Sequence, residues 1–243
     1  MSSNKISTGS FDLNKWMYGG YEKGIITMLA GPPGCGKTNF CILASCSQAK
    51  KGSKILFIDT EGGFSVDRVK QIVGENHKEI LKNIILLEPT SFEEQKESFS
   101  KLLDKIKKEH VGLIIVDGMA MLYRLELGDA AKTQDDDEIR RVNREVAMQM
   151  KMLAEIARKQ DIPIIITNQV YKEFLSREDL EQGIKPGVSI VGGDLLKYWS
   201  KCIIELTNDR GKRKAILQKH RSLPFKEIDF IIKDAGVFKR GWI

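Results

Sequence analysis

Residues 31–38 read Gly31-Pro32-Pro33-Gly34-Cys35-Gly36-Lys37-Thr38 and fit G-x-x-x-x-G-K-[ST], the loop that cradles nucleotide phosphates. Its glycines let successive backbone N–H groups point into one concavity. A helix following such a loop adds the positive end of its dipole. Lys37 supplies a cation for β- and γ-phosphates, and Thr38 a hydroxyl for Mg²⁺; Asn39 follows at the start of the helix. Three more polar residues stand at the ends of apolar runs. Asp117 closes 113–116, where a carboxylate can complete a Mg²⁺ shell. Glu61 follows 54–59 in Asp59-Thr60-Glu61-Gly62-Gly63, where a carboxylate can act as general base toward water. Gln169 follows Thr167-Asn168, and its amide can touch a γ-phosphate or the attacking water. These are the parts that nucleoside triphosphate hydrolysis needs. The plainer reading is a Gly/Pro turn between strand and helix, with polar residues at strand ends.

Such residues converge only if the strands carrying them run side by side. Short continuous apolar runs at 25–30, 54–59, 84–87, 113–117 and 163–168 predict strands buried on both faces. Helical patterns lie between them, near 37–50, 66–74, 91–109 and 138–160; Ser91 with Glu94 forms a capping box for the third. This alternation predicts an α/β fold, a mostly parallel central sheet flanked by helices. After residue 198 the pattern changes to strands at 199–207, 213–219 and 226–232, expected to extend one sheet edge in antiparallel fashion. Two stretches, 125–137 with its acidic run Asp135–Glu138 and 171–193 with its glycines, read as long loops at the ligand-binding edge. The simplest division is a single domain over 1–243.

The chain has 243 residues, of which 42% are hydrophobic, enough for one α/β core. No run of eighteen apolar residues occurs and the N-terminus shows no apolar leader, so a cytoplasmic protein without a membrane partner is expected. Cys41, Cys46 and Cys202 read as small buried hydrophobes. Cys35, inside the phosphate loop, is expected to have a lowered thiol pKa from Lys37 and nearby N–H groups. The formal net charge is +6, but residues 210–240 hold ten Lys/Arg against three Asp/Glu, so the basic excess sits wholly there. Such a segment suits polyanions, nucleic acid or the phosphates of ATP; a solvated strand face is the alternative.

Taken in order, GPPGCGKT, DTEGGFSVDR (59–68), LIIVDG (113–118) and TNQV (167–170) resemble the RecA-like recombinase ATPases. Segment 6–27 resembles the lead-in of the archaeal RadA branch, segments 192–206 and 219–225 look most like its RadB paralogues, and the resemblance covers nearly the whole chain. The resemblance implies a RecA-like core without a helix-hairpin-helix domain. It also implies binding of ATP, Mg²⁺ and DNA, weak ATP hydrolysis, and a helper or regulatory role in recombinational repair rather than strand exchange. Lys37 and Thr38 would contact phosphate and Mg²⁺, Asp117 would be the Walker B carboxylate, Glu61 the catalytic carboxylate, and Gln169 the sensor opening the second DNA loop. Arg68 would stack on adenine, a task suited to a planar guanidinium, and Pro224 would lie near the base. Lys219 and Arg221 match positions that, in related KaiC-type ATPases, reach a neighbour's nucleotide.

The chain also departs from that pattern. The loop stretches 124–141 and 171–189 carry net charges of −2 and −1, so neither is expected to grip DNA strongly. Arg124 keeps a matching position in the first loop, Tyr171 could stack on a base, and the basic residues Lys212, Arg213 and Lys214 are expected to contribute more. Phe11-Asp12-Leu13-Asn14 ends in Asn where the RadA tether ends in Ala, which argues against autonomous filaments and leaves a homodimer open. Expected partners are single-stranded or branched DNA, a RadA-type recombinase and a Holliday-junction resolvase. Two other readings remain: a nucleotide-gated binding module with incidental turnover, and a KaiC-like signalling ATPase or autokinase.

Overall fold

The computed structural model describes residues 4–132, 135–172, 188–190 and 193–241; the side chains of 171, 172 and 188–190 are excluded. The chain opens with a short antiparallel ribbon, β1 (Lys5–Ile6) and β2 (Tyr21–Glu22), which brackets α1 (Phe11–Trp16) in sequence. Asn14, the departure from the tether pattern, is part of the local fabric. Its Oδ1 accepts from the Thr8 amide at 2.8 Å and from the Thr8 hydroxyl at 2.9 Å.

The alternating core follows: β3 (Ile26–Gly31), α2 (Lys37–Ala49), β4 (Lys54–Asp59), α3 (Val66–Val73), α4 (His77–Leu81), β5 (Ile84–Leu87), α5 (Phe92–Lys108), β6 (Val111–Asp117), α6 (Met121–Lys132), α7 (Asp136–Gln160) and β7 (Ile164–Lys172). Beyond it lie β8 (Val188–Ile190), α8 (Gly193–Trp199), β9 (Cys202–Asp209), β10 (Lys212–His220), β11 (Lys226–Lys233) and β12 (Gly236–Lys239). The main sheet runs β12-β11-β10-β9-β3-β7-β6-β4-β5, with β8 paired antiparallel to β7. From β9 to β5 the strands are parallel, and β9 to β12 are antiparallel neighbours.

Each central strand is sealed on both faces. Ile55 and Phe57 of β4 enter one core with Phe40 and Leu43 of α2, while Leu56 and Ile58 enter the other with Phe99 of α5 and Leu153 of α7. All four β4 side chains have no measurable exposure, and burial of each contributes about 1.5–3 kcal/mol. Two-sided burial is why these strands read as unbroken apolar runs. The capping box at Ser91 is present in modified form. Ser91 Oγ accepts from the Glu94 amide at 3.2 Å, while the Glu94 carboxylate reaches the amide of Thr90 at 2.7 Å.

The 125–137 stretch is not the loop its composition suggests. Residues through Lys132 belong to α6, which buries Leu122, Tyr123 and Ala130, and the Tyr123 hydroxyl donates to Asn143 Oδ1 on α7 at 2.6 Å. Exposed Gly128 and the charges around it hide that buried stripe in the sequence. The acidic run has a local role. Asp135 caps α7, accepting from the amides of Asp137 and Glu138, and the remaining acids occupy the positive end of the helix dipole. Most of the second expected loop, 171–193, lies outside the described residues.

Candidate nucleotide site

Strand register brings the polar residues of four strands to one sheet edge. Gly31 at the end of β3 pairs with Gln169 of β7, and Asp59 at the end of β4 pairs with Asp117 at the end of β6. The phosphate loop leaves β3 at that edge and enters α2 through Gly36, whose φ of 112° is left-handed and open mainly to glycine. A Cβ on Gly36 would also meet Ile232 Cδ1 of β11 at 2.9 Å, so the C-terminal strands pack directly on the loop. Beside it lies a polar cavity of about 460 Å³, lined among others by Lys37, Thr38, Asn39, Glu61 and Arg213.

Lys37 is buried, and its Nζ donates to the carbonyls of Gly31 at 2.9 Å and Pro32 at 3.1 Å. Asp117 is fully buried. Its Oδ1 accepts from the Thr167 hydroxyl at 2.5 Å, and that hydroxyl in turn accepts from the Gly118 amide at 2.7 Å. Its Oδ2 has no hydrogen-bond partner among the described residues. Thr38 lies near enough to favour the charged carboxylate without completing a hydrogen bond to it. Burial dominates, and with Asp59 and Glu61 nearby it pushes the Asp117 carboxyl up to about 6. A buried carboxylate oxygen without a donor, next to a threonine hydroxyl at a phosphate loop, is a donor set that fits a divalent cation.

Glu61 is exposed at the cavity mouth, and Gln169 Nε2 donates to its Oε1 at 3.1 Å. The loop carrying Glu61 is held by residues that the motif reading passed over. Buried Asp59 accepts from the amides of Glu61 at 3.1 Å and Phe64 at 2.7 Å. The Thr60 hydroxyl donates to the carbonyls of Asp117 and Gly118 at 3.1 and 2.8 Å. Gly118 has φ 91°, and a Cβ there would strike Thr60 Oγ1 at 2.3 Å and Glu61 Cγ at 2.8 Å. Asp59 and Thr167 stand inside the DTEGG and TNQV segments, so their position was visible and their orienting role was not.

The Rad51 family model matches residues 2–240. The chain belongs to the Rad51 family. A protein named DNA repair and recombination protein RadB from Methanobrevibacter smithii is 41% identical over 240 residues, 97% of this chain and 96% of its own length. The RadB of Methanocaldococcus jannaschii is 40% identical over 225 residues, 93% of this chain and 98% of its own length. A solved structure titled "Crystal structure of the RadB recombinase" aligns with TM-score 0.74 at 31% identity, covering 96% of this chain and 98% of that one. Within the Rad51 family the chain is of the RadB type. Rad51-family proteins are in general ATPases that bind ATP with Mg²⁺.

The remaining expectations for this Rad51-family chain divide. Half-buried Arg68 lies beside Asn39, donating to its Oδ1 at 2.7 Å, to Gln71 Oε1 at 2.8 Å, and to the carbonyls of Asp234 and Lys233 at 3.0 and 2.8 Å. Pro33, Gly34 and Gly36 line the cavity. Cys35 corrects the sequence reading. Its thiol is buried, and desolvation outweighs Lys37, so its pKa is raised. Pro224 does not line the cavity. His220 at the end of β10 pairs with Cys202, and Cys202 pairs with Thr27 near the start of β3, so Pro224 follows at the sheet edge opposite the phosphate loop. Lys219 and Arg221 share that far edge; Lys219 donates to the Lys197 carbonyl at 2.8 Å, and Arg221 to buried Glu22 at 3.0 Å. None of the three reaches this chain's own phosphate loop.

The three basic residues expected to contact DNA have different surroundings. Arg213 lines the nucleotide cavity, Lys214 pairs with Glu227 at 2.7 Å, and Lys212 is exposed. Arg124 is exposed on α6, outside any loop. Tyr171 belongs to β7 by its backbone, and its side chain lies outside the described residues.

Proposed function

We propose that this chain is an ATP- and DNA-binding protein of homologous recombination and DNA repair: a weak, Mg²⁺-dependent ATPase, a single RecA-like domain, and a helper or regulator of a RadA-type recombinase in the cytoplasm. The observation that carries this reading is the convergence of Lys37, Thr38, Glu61, Asp117 and Gln169 at one sheet edge. Thr38 and Asp117 would hold the cation, which when bound neutralises charge on the β- and γ-phosphates. Lys37 adds a second positive charge, and the loop amides bind phosphate oxygens. Glu61 accepts the proton of an attacking water, and the Gln169 amide fixes its carboxylate while reporting the phosphate's presence to the chain beyond β7. Arg68 offers a flat face for the base.

Positioning and charge stabilisation account for such hydrolysis. In this reading an isolated subunit is slow because Lys219 and Arg221 lie away from its own phosphate loop, and a second subunit's nucleotide would have to draw them from Lys197 and Glu22. Exposed Lys212 and Arg124 are the remaining DNA candidates, and a Holliday-junction resolvase and a homodimer are further proposed partners. The test is DNA binding by the whole chain without nucleotide, with ADP, and with a non-hydrolysable ATP analogue, across a salt series. Affinity that differs between nucleotide states is expected; affinity indifferent to nucleotide overturns the regulatory reading.

A further inference from the structure

Arg213 is the basic residue of the C-terminal strands whose surroundings differ from those of its neighbours. It sits on β10, paired with Asn208 of β9 and Phe230 of β11. Its Nε is shielded from solvent and lacks a hydrogen-bond partner, and no carboxylate pairs with its guanidinium among the described residues. By contrast Lys214, Lys219 and Arg221 all have protein partners. Glu61 lines the same cavity but is bonded to Gln169 instead. The charge of Arg213 is felt inside the phosphate loop, where it favours the Cys35 thiolate. Ile232 of β11 packs close to Gly36, which sets the strands carrying Arg213 against that loop.

A shielded guanidinium N–H without an acceptor is costly. The planar fork of a guanidinium matches the paired oxygens of phosphates and carboxylates, and beside a phosphate loop the anion at hand is a phosphate. We propose that Arg213 is a phosphate-binding residue for the nucleotide held by the same chain's Lys37 and Thr38. It is a cis contact from the antiparallel C-terminal strands rather than part of a DNA surface. The assignment rests on the nucleotide reading above.

The experiment is calorimetric titration of the whole chain with Mg·ATP and with Mg·ADP, comparing the unsubstituted protein with R213M and R213K. R213M is expected to weaken ATP binding about ten- to hundredfold, the loss of a charge-assisted hydrogen bond. Its ligand-free melting temperature should be unchanged or raised, because a shielded donor is removed. R213K, which keeps the charge, should recover part of the affinity. ATP and ADP affinities unchanged in R213M would overturn the role of Arg213 alone. No uptake by the unsubstituted chain would overturn the nucleotide reading together with it. A loss shared fully by R213K, with a lowered melting temperature, would overturn the phosphate contact in favour of a packing role.

Discussion

At the nucleotide edge, Asp117 and Arg213 keep polar atoms without partners in spite of burial; elsewhere on the C-terminal segment, Lys214, Arg221 and Lys226 find partners although partly exposed. Asp117 Oδ2 and Arg213 Nε are shielded and unsatisfied. Lys214 lies against Glu227, Arg221 against Glu22, and Lys226 over the rings of Trp16 and Tyr18. The difference teaches how to weigh charge. A count of ten basic residues in 210–240 says where positive charge is concentrated along the chain. Only the partner of each residue says whether that charge is available to a ligand.

The comparison can be broken most sharply at Glu61. In E61Q, ATP uptake should remain within about twofold, while single-turnover hydrolysis falls by about 10²–10⁴, the range for loss of a general base. Turnover close to that of the parent would place the base elsewhere and remove the main functional claim for this edge. The next largest effect concerns Asp117. Its folded pKa of about 6 stands above the ordinary Asp value of 3.8, so the folded state binds the extra proton. Stability of the cation-free chain should therefore fall as pH rises from about 4 to 6 and then level off. D117N should abolish that slope and gain on the order of 2–3 kcal/mol at pH 7 in EDTA, read from urea unfolding at the two pH values. An unaltered slope would mean that Asp117 is not the costly buried carboxylate described here. The smallest effect separates the basic neighbours. K212E should flatten the salt dependence of DNA binding by about one unit of slope. K214E should mainly lower the melting temperature, since it sets a second carboxylate against Glu227. Equal effects of both on DNA would erase the distinction between engaged and available charge.

The sheet and its edge were legible in the sequence because both depend on local rules. Runs 54–59 and 84–87 match β4 and β5 residue for residue, since neither the buried β4 nor the half-buried edge strand β5 has a polar interruption within its apolar stretch. The phosphate loop is legible because its chemistry requires fixed spacing. What sequence could not give was partner identity across long separations. Arg213 and Gly36 are brought together only by the β9–β10–β11 register, and Asp59 orients Glu61 through amides that any residue carries. Pro224 was misplaced for the same reason: strand direction decides which end of the sheet it occupies. Helix α6 escaped because a short buried stripe of Leu122, Tyr123 and Ala130 is diluted by exposed charge.

Arg68 ties the start of α2 to α3 and to the turn after β11 through four hydrogen bonds, leaving one of its five N–H groups uncommitted. A base laid against it would meet a flat, positively charged plate and almost no directional donors. Such a plate would accept adenine and guanine alike, so a base stacked there would owe any preference between ATP and GTP to the residues facing Arg68.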